Sequence, residues 1–407
     1  MFLYNVAIYF YMLGVAIASL FSDKVRKMWH GQRQTPRILK EKVKPDVSYI
    51  WFHASSLGEF EQGRPLIERI RSEYPEYKIL LTFFSPSGYE VRKNYEQADI
   101  ICYLPLDTKA NATHFLRTVR PAMAFFIKYD FWLNYLYILK QQGIPVYSVS
   151  SIFRPGQIFF RWYARPYSYV LKCFTHLFVQ NEVSVELLRQ IGIENSTIVG
   201  DTRFDRVLQI KQQAKQLPIA EAFKGDGKVI VAGSSWQPDE DVLIRYINNN
   251  PDWKLIIAPH VINEEHLQQI EQKLARSVVR YTKTTPEDAA KAGCLIVDCF
   301  GLLSSIYHYG EIAYVGGGFG VGIHNVLEAA VWSMPVIFGP NNQKFQEAQG
   351  LKRAGGGFEF ETYEEFHEII TRLINDSQYL EQAGVKAGKF VSSMTGATEM
   401  IIKAIKL

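Results

Sequence analysis

Three clusters in this 407-residue chain combine residue types that can do chemistry. The first is Ser55-Ser56-Leu57-Gly58-Glu59-Phe60-Glu61, which follows an apolar run and leads into an amphipathic stretch with Pro65 in its early part. A glutamate at a strand-to-helix turn can take a proton from a hydroxyl held within hydrogen-bonding reach. Gly58 lets the backbone turn sharply or approach a ligand closely. The competing reading of Glu59 is electrostatic support of a helix N-terminus, and position alone leaves the two even.

The second cluster is Gly316-Gly317-Gly318-Phe319-Gly320-Val321-Gly322, followed by Ile323-His324-Asn325-Val326-Leu327-Glu328. Glycines after a strand let backbone N–H groups approach a phosphate, and the next helix favours its charge. Val321 breaks the G-x-G-x-x-G spacing, which argues against a dinucleotide fingerprint and a nicotinamide dehydrogenase. Asn325 and Glu328 also fit a capping pair, but a cap does not require so many glycines. The third cluster joins two loops, Gly233-Ser234-Ser235-Trp236 and Ala258-Pro259-His260. The hydroxyls of Ser234 and Ser235 suit phosphate oxygens. His260 has no metal partner at a suitable spacing and reads as structural. Asp239-Glu240-Asp241 has a D-x-D form, yet after Pro238 it reads as the opening of a solvated helix, and no metal is assigned.

The elements that must position these residues follow one rhythm. Short apolar runs at 47–54, 78–84, 101–106, 123–129, 146–151, 176–180 and 197–199 alternate with longer amphipathic stretches. The second half repeats it at 229–232, 254–258, 278–282, 295–297, 312–315 and 335–338. Continuous apolar runs separated by helix-length segments mark parallel strands buried on both faces. The fold class expected is α/β, with two Rossmann-like, doubly wound domains at 45–208 and 228–407. The polar segment 209–227 reads as a linker between them. The helical C-terminal segment from Ser377 can cross back to the first domain. Such sheets bind ligands at the carboxyl ends of their strands, so tandem domains create a cleft there.

Composition agrees with this plan. The length exceeds what one hydrophobic core usually organises. Hydrophobic residues make up 47% and charged residues 21%, which is ordinary for a globular chain. A net charge of +4 is too small to imply nucleic-acid binding. Four scattered cysteines, without C-x-x-C, argue against a zinc site or a disulfide framework. Residues 1–22 carry no charge and are followed by Lys24, Arg26, Lys27, Arg33 and Arg37. This is an uncleaved membrane anchor, with the basic segment 23–44 and all that follows on the cytoplasmic side by the positive-inside bias. The basic residues follow the apolar run instead of preceding it, unlike a cleaved signal peptide. Spanning the bilayer and lying in its interface both remain open.

In their order along the chain, these segments resemble the 3-deoxy-D-manno-oct-2-ulosonic acid (Kdo) transferases of lipopolysaccharide synthesis. The resemblance runs from His53-Ala54-Ser55-Ser56-Leu57-Gly58-Glu59 through Ser85-Pro86-Ser87-Gly88, Tyr103-Leu104-Pro105-Leu106-Asp107 and Phe131-Trp132-Leu133-Asn134. It continues with Gln180-Asn181-Glu182, Gly200-Asp201-Thr202-Arg203-Phe204-Asp205, Val315-Gly316-Gly317, His324-Asn325-Val326-Leu327-Glu328 and Gly339-Pro340 with Phe345. It implies a GT-B fold, with an acceptor-binding first domain and a donor-binding second domain. It also implies a CMP-Kdo donor used as substrate, no cofactor, no metal, inversion, and a lipid A precursor as acceptor at the inner membrane. Carried over by position, Glu59 matches the general base, and Arg203 stands where the family has a lysine that steadies the transition state. Ala258, Pro259, His260, Phe300, Gly301, Leu302, Asn325, Val326, Leu327 and Glu328 match the segments that hold CMP, with Glu328 on the ribose hydroxyls. Gly316, Gly317, Gly318, Ser234 and Ser235 join them as phosphate-facing candidates.

Two positions depart from the family pattern. Lys128 replaces a glutamate, so that Lys128 binds an anion and Asp130 takes the acidic role. Pro259 replaces the arginine of a P-R-H motif. Arg154, Arg161, Arg165 and Lys172, set among Phe159, Phe160, Trp162 and Tyr163, face the acceptor or lipid headgroups, or form an ordinary solvated helix face. The rival readings are a GT-B transferase with a UDP-sugar donor and a membrane scaffold that has lost its chemistry.

Overall fold

The computed structural model describes residues 2–405, apart from the side chains of 164–166, among them Arg165. The chain forms two compact units. One comprises the residues up to Arg206 and the chain from Thr395 onward, and the other is Val207–Met394.

The first unit is built on seven parallel strands, β1 (Tyr49–Ala54), β2 (Lys78–Phe83), β3 (Ile100–Tyr103), β4 (Met123–Ile127), β5 (Val146–Ser151), β6 (His176–Val179) and β7 (Ser196–Ile198). Their order is β3-β2-β1-β4-β5-β6-β7. Every residue of β1 and β4 is buried, as expected for strands covered on both faces. Trp51 and Phe126 pack toward one helical layer, whereas Phe52 stacks on Phe125 at 4.8 Å toward the other. Burying each such ring contributes about 2–3 kcal/mol.

The second unit has β8 (Lys228–Ser235), β9 (Trp253–Pro259), β10 (Val278–Arg280), β11 (Cys294–Ile296), β12 (Ile312–Val315), β13 (Val336–Phe338) and β14 (Gly357–Glu359), in the order β10-β11-β9-β8-β12-β13-β14. All its pairings are parallel. The edge strand β14 has no counterpart in the sequence reading, because three residues that begin with the last glycine of a triplet give no apolar run. In each sheet the chain leaves its first strand toward one side and later returns on the other. The order therefore reverses between β1 and β4, and again between β8 and β12, and ligands bind at such points.

Helices α1 (Phe2–Ala18), α2 (Asp23–Lys42), α3 (Leu57–Glu73), α4 (Thr202–Gln212), α5 (Gln237–Asn249), α6 (Leu327–Ala330), α7 (Ser377–Ser393) and α8 (Ala397–Ala404) matter most for the sites. Segment 209–227 is not an extended linker. It holds the end of α4 and a further helix, Pro218–Lys224, and the boundary between units falls inside α4. The chain end returns to the first unit because Asp205 accepts from Gly396 N at 2.6 Å and from Thr398 N at 2.7 Å, capping α8. Ala397 and Ile401 then bury themselves against the first sheet.

No helix among the described residues is long and apolar enough to cross a membrane. Instead, α1 is fastened along one side. Tyr4 Oη donates to the wholly buried Asp107 Oδ2 at 2.6 Å, and Asn134 Nδ2 donates to Asn5 Oδ1 at 2.9 Å. Burial raises the Asp107 carboxyl to about 6 against the pull of Tyr4 and two backbone amides. The other side of α1 and the turn after it leave Phe2, Leu3, Phe10, Leu13, Ile17, Leu20 and Phe21 exposed. The basic-aromatic stretch 154–172 is not one helix face either. It breaks into the short turns Ile158–Phe160, Trp162–Ala164, Arg165–Ser168 and Leu171–Cys173, with Phe159 buried and Trp162 exposed.

Candidate active site

In the first unit, Glu59 stands in the first turn of α3, directly after β1, and accepts a hydrogen bond from Ser56 Oγ. It is half-buried. The chain leaves neighbouring β4 through Lys128, whose φ of 61° is left-handed, a conformation that costs a non-glycine residue about 1–2 kcal/mol. The strain is held by Lys128 N donating to Val149 O at 2.9 Å and by Ser151 Oγ donating to Lys128 O. This sharp exit turns Asp130 back toward β1. There its Oδ2 lies 2.9 Å from His53 Nε2 and accepts from Ser55 Oγ. The wholly buried His53 meets Thr82 Oγ1 through Nδ1 at 2.8 Å, and Thr82 accepts from Trp51 Nε1 at 2.8 Å. The loop 55–59 is thus tied to Asp130 across the point where strand order reverses.

Arg203 is held by its neighbour in sequence. Asp201 Oδ2 accepts from Arg203 Nε at 2.9 Å and Nη2 at 2.8 Å, and Asp201 Oδ1 accepts from Gln62 Nε2 at 2.9 Å. Burial pushes the Asp201 carboxyl up, but the Arg203 charge and hydrogen bonds outweigh it and leave it below its ordinary value. Gln62 lies on α3, three residues beyond Glu59 and so a little under one turn away. One helix therefore carries Glu59 and also orients the arginine through an acid.

In the second unit the loops after β8, β9, β11 and β12 leave the same edge of the sheet. Phe300 is exposed, and Gly301 has a φ of 86° in the loop after β11. The glycine turn after β12 differs from the sequence expectation. The amide of Gly316 donates to Gly233 O at 3.0 Å and that of Gly317 to Asp239 Oδ2 at 2.9 Å, so neither is available to a phosphate. A side chain on Gly316 would collide with the Ser234 carbonyl, and Gly317 has a φ of 93°. These glycines serve close packing of the turn on the β8 loop. Gly318 lies against Gly339.

Asp239 is likewise not part of a solvated helix opening. It is 1% exposed; Oδ1 accepts from Tyr314 Oη at 2.7 Å, and Oδ2 also accepts from Trp236 N at 2.9 Å. Burial raises its carboxyl, with these bonds opposing. Ser235 is also buried, and its hydroxyl donates to Glu240 Oε1 at 3.0 Å instead of facing a ligand. Ser234 is left half-exposed in a left-handed conformation, φ 53°. Asn325 bridges forward, its Nδ2 donating to Glu328 Oε1 at 3.0 Å and its Oδ1 accepting from Leu327 N at 3.2 Å. Val326 and Leu327 are buried and act as supports. His260 is exposed and its ring stacks on Trp236 at 4.7 Å, while Ala258 and Pro259 end β9 beneath it.

Residues 28–206 match the family model of 3-deoxy-D-manno-octulosonic-acid transferase (kdotransferase). The 3-deoxy-D-manno-octulosonic acid transferase of Aquifex aeolicus is 28% identical over 346 residues, 83% of this chain and 89% of the relative. Over these residues the chain is similar to this transferase family. The 3-deoxy-D-manno-octulosonic acid transferase of Chlamydia trachomatis serovar D is 26% identical over 370 residues, covering 86% of this chain and 84% of its own. Among solved structures, MurG of Acinetobacter baumannii superimposes with a TM-score of 0.56 at 11% identity, covering 88% of this chain and 99% of that one. UDP-GlcNAc 2-epimerase of Neisseria meningitidis gives 0.60 at 16%, covering 87% and 98%. These two likenesses show the GT-B-type fold alone.

The structure also ties together residues to which the sequence reading gave no role in the site: His53, Asp201, Asp239 and the His324–Trp236 pair. Each lies inside or beside a quoted motif. The available signal for Asp239 was its place three residues after Trp236, where a carboxylate reaches back to the backbone of a helix start. Asp201 has Arg203 two residues on, whereas for His53 and the His324–Trp236 pair no local pattern announces a partner that is distant along the chain.

Proposed function

We propose that this chain is a Kdo transferase that moves Kdo from CMP-Kdo to a lipid A precursor at the cytoplasmic face of the inner membrane, with inversion, without a metal and without a cofactor. Glu59 takes the proton of the acceptor hydroxyl as its oxygen attacks the anomeric carbon from the face opposite the nucleotide. The new carbon–oxygen bond forms while the bond from that carbon to the CMP phosphate oxygen breaks, and CMP leaves with the electron pair. Arg203 steadies negative charge in the transition state, and Asp130 supplies the acidic group beside Lys128. Asn325 and Glu328 hold the ribose, with His260 and 300–302 around the nucleotide.

The observation that carries this reading is the hydrogen-bonded tie of 55–59 to Asp130 at the reversal point of the first sheet, with Arg203 oriented from the same helix as Glu59. A lipid acceptor also suits α1. Its 17 residues make a helix of about 25 Å, short of the roughly 30 Å of hydrocarbon, and one face is fastened to the unit. The helix therefore lies in the interface, with its exposed apolar row in lipid.

The test is incubation with CMP-Kdo and a tetraacyl lipid A precursor, read by mass spectrometry. Addition of Kdo by the native chain and none by Glu59→Gln, with CMP binding kept, is the expected result. Turnover with a UDP-sugar instead, or retained turnover in Glu59→Gln, overturns the donor or the base assignment respectively.

A further inference from the structure

Trp236, His260 and His324 come from the loops after β8, β9 and β12, three adjacent strands of the second sheet. Their rings form one cluster. His260 lies 4.7 Å from Trp236 and 4.4 Å from His324, in both cases within 27° of parallel. The decisive contact is polar: Trp236 Nε1 donates to His324 Nε2 at 3.2 Å.

An indole N–H can only donate, so His324 Nε2 must present a lone pair. The proton of a neutral imidazole then resides on Nδ1, and the bond to Trp236 selects the tautomer. Among the described residues nothing accepts that Nδ1 proton. Burial first, and then the proximity of His260, pushes the His324 imidazole down to about 4, so it stays neutral at ordinary pH. The ring is thus a fixed, uncharged N–H donor. It immediately precedes Asn325, at the edge where the second sheet reverses its strand order.

We propose that His324 Nδ1–H donates to the phosphate of the bound nucleotide donor, and that Trp236 is the positioning residue that fixes the imidazole tautomer for this bond. The inference rests on the CMP-sugar reading above. Asn325 and Glu328 are assigned to the ribose there, and in a nucleoside monophosphate the phosphate is attached to that sugar. His324 directly precedes Asn325, the residue assigned to that ribose. The glycine turn cannot supply the same contact through Gly316 and Gly317, whose amides are already taken. The side chain of His324 takes over that task.

Calorimetric titration of the full chain with CMP and with cytidine separates phosphate contacts from base and ribose contacts. His324→Ala should weaken CMP about ten- to a hundredfold, the range of a hydrogen bond to a charged acceptor, and leave cytidine unchanged. His324→Asn places an amide N–H where Nδ1–H was and should keep most of the CMP affinity, whereas His324→Gln should not. Trp236→Phe preserves the ring stack but removes the donor. In this variant the ¹⁵N signals of the His324 side chain should move from the pure Nδ1–H form to a mixture of tautomers, with a smaller loss of CMP affinity. Equal weakening of CMP and cytidine by His324→Ala, undiminished CMP binding, or an unchanged tautomer in Trp236→Phe would overturn the inference. Native chain that binds UDP but not CMP would instead overturn the donor assignment on which it rests.

Discussion

His53 Nε2 and Asp130 Oδ2 lie 2.9 Å apart and join the end of β1 to the loop after β4, across the point where the first sheet reverses its strand order. His53 is wholly buried and is fixed on its other nitrogen by Thr82. The loop carrying Glu59 is therefore referenced to the rigid sheet through Asp130 and Ser55, not through its own backbone alone. Precise placement of a base matters, since misplacement by about 1 Å costs on the order of a hundredfold.

Removing the acid at this junction separates catalysis from donor binding. Asp130→Ala removes the acceptor of Ser55 Oγ and the carboxylate 2.9 Å from His53 Nε2, a nitrogen that also receives Trp132 Nε1 at 3.3 Å. Kdo transfer is expected to fall by about a hundredfold or more in kcat. CMP affinity, a property of the second unit, is expected to stay unchanged by calorimetry. A loss of CMP binding of similar size would show that Asp130 acts elsewhere.

Asp239 is expected to behave as a fastener of the donor loops. Asp239→Ala leaves the backbone amides of Trp236 and Gly317 and the Tyr314 hydroxyl without their acceptor. A cost of about 2–4 kcal/mol in urea unfolding is expected for stranding such buried groups. Asp239→Asn should cost less, because the amide oxygen still receives both backbone N–H groups and the Tyr314 hydroxyl can reverse to accept.

The His324 imidazole gives the second unit a defined acid sensitivity. Its folded value of about 4 lies below the ordinary 6.5, chiefly through burial. As pH falls from about 6.5 toward 4, the unfolded chain takes up a proton that the folded chain refuses. Stability is therefore complete above that window and declines through it. Partial exposure of the ring limits the loss to about 1–2 kcal/mol. Thermal unfolding across this range should show the slope in the native chain and a shallower one in His324→Asn.

The exposed row on α1 should decide membrane binding without deciding folding. Phe10 is 70% and Leu13 57% exposed, so aspartate at both positions removes no core packing. Co-sedimentation with vesicles is expected to drop about tenfold or more while the melting temperature stays put, since the apolar face supplies interfacial affinity. Tyr4→Phe should loosen the attachment of α1 to Asp107 and speed proteolysis within residues 2–18.

Much of the architecture was legible in the chain itself. The strands Tyr49–Ala54 and Ile312–Val315, within the apolar runs 47–54 and 312–315, are wholly buried, so their strand character survives any arrangement of neighbours. Strand β14 escaped notice, because Gly357–Glu359 gains its pairing from β13 and not from its own composition. The end of α4 at Gln212 and the helix Pro218–Lys224 escaped too, since polar composition looks alike in a linker and on a solvated helix.

At the sites the division is sharper. The order of motifs, with Glu59 after one strand and His324 to Glu328 after another, showed a resemblance to the Kdo transferases before any coordinates. The partner of each group was decided in space. Asp239 looked solvated because Pro238 and two further acids surround it in sequence, yet the fold brings Tyr314 and Gly317 onto its carboxylate. Ser235 looked free to meet a phosphate and is instead committed to Glu240. Sequence fixes which side chains stand at strand ends, because periodicity and burial are local. Hydrogen bonds between strands distant along the chain depend on sheet order, which only the tertiary structure decides.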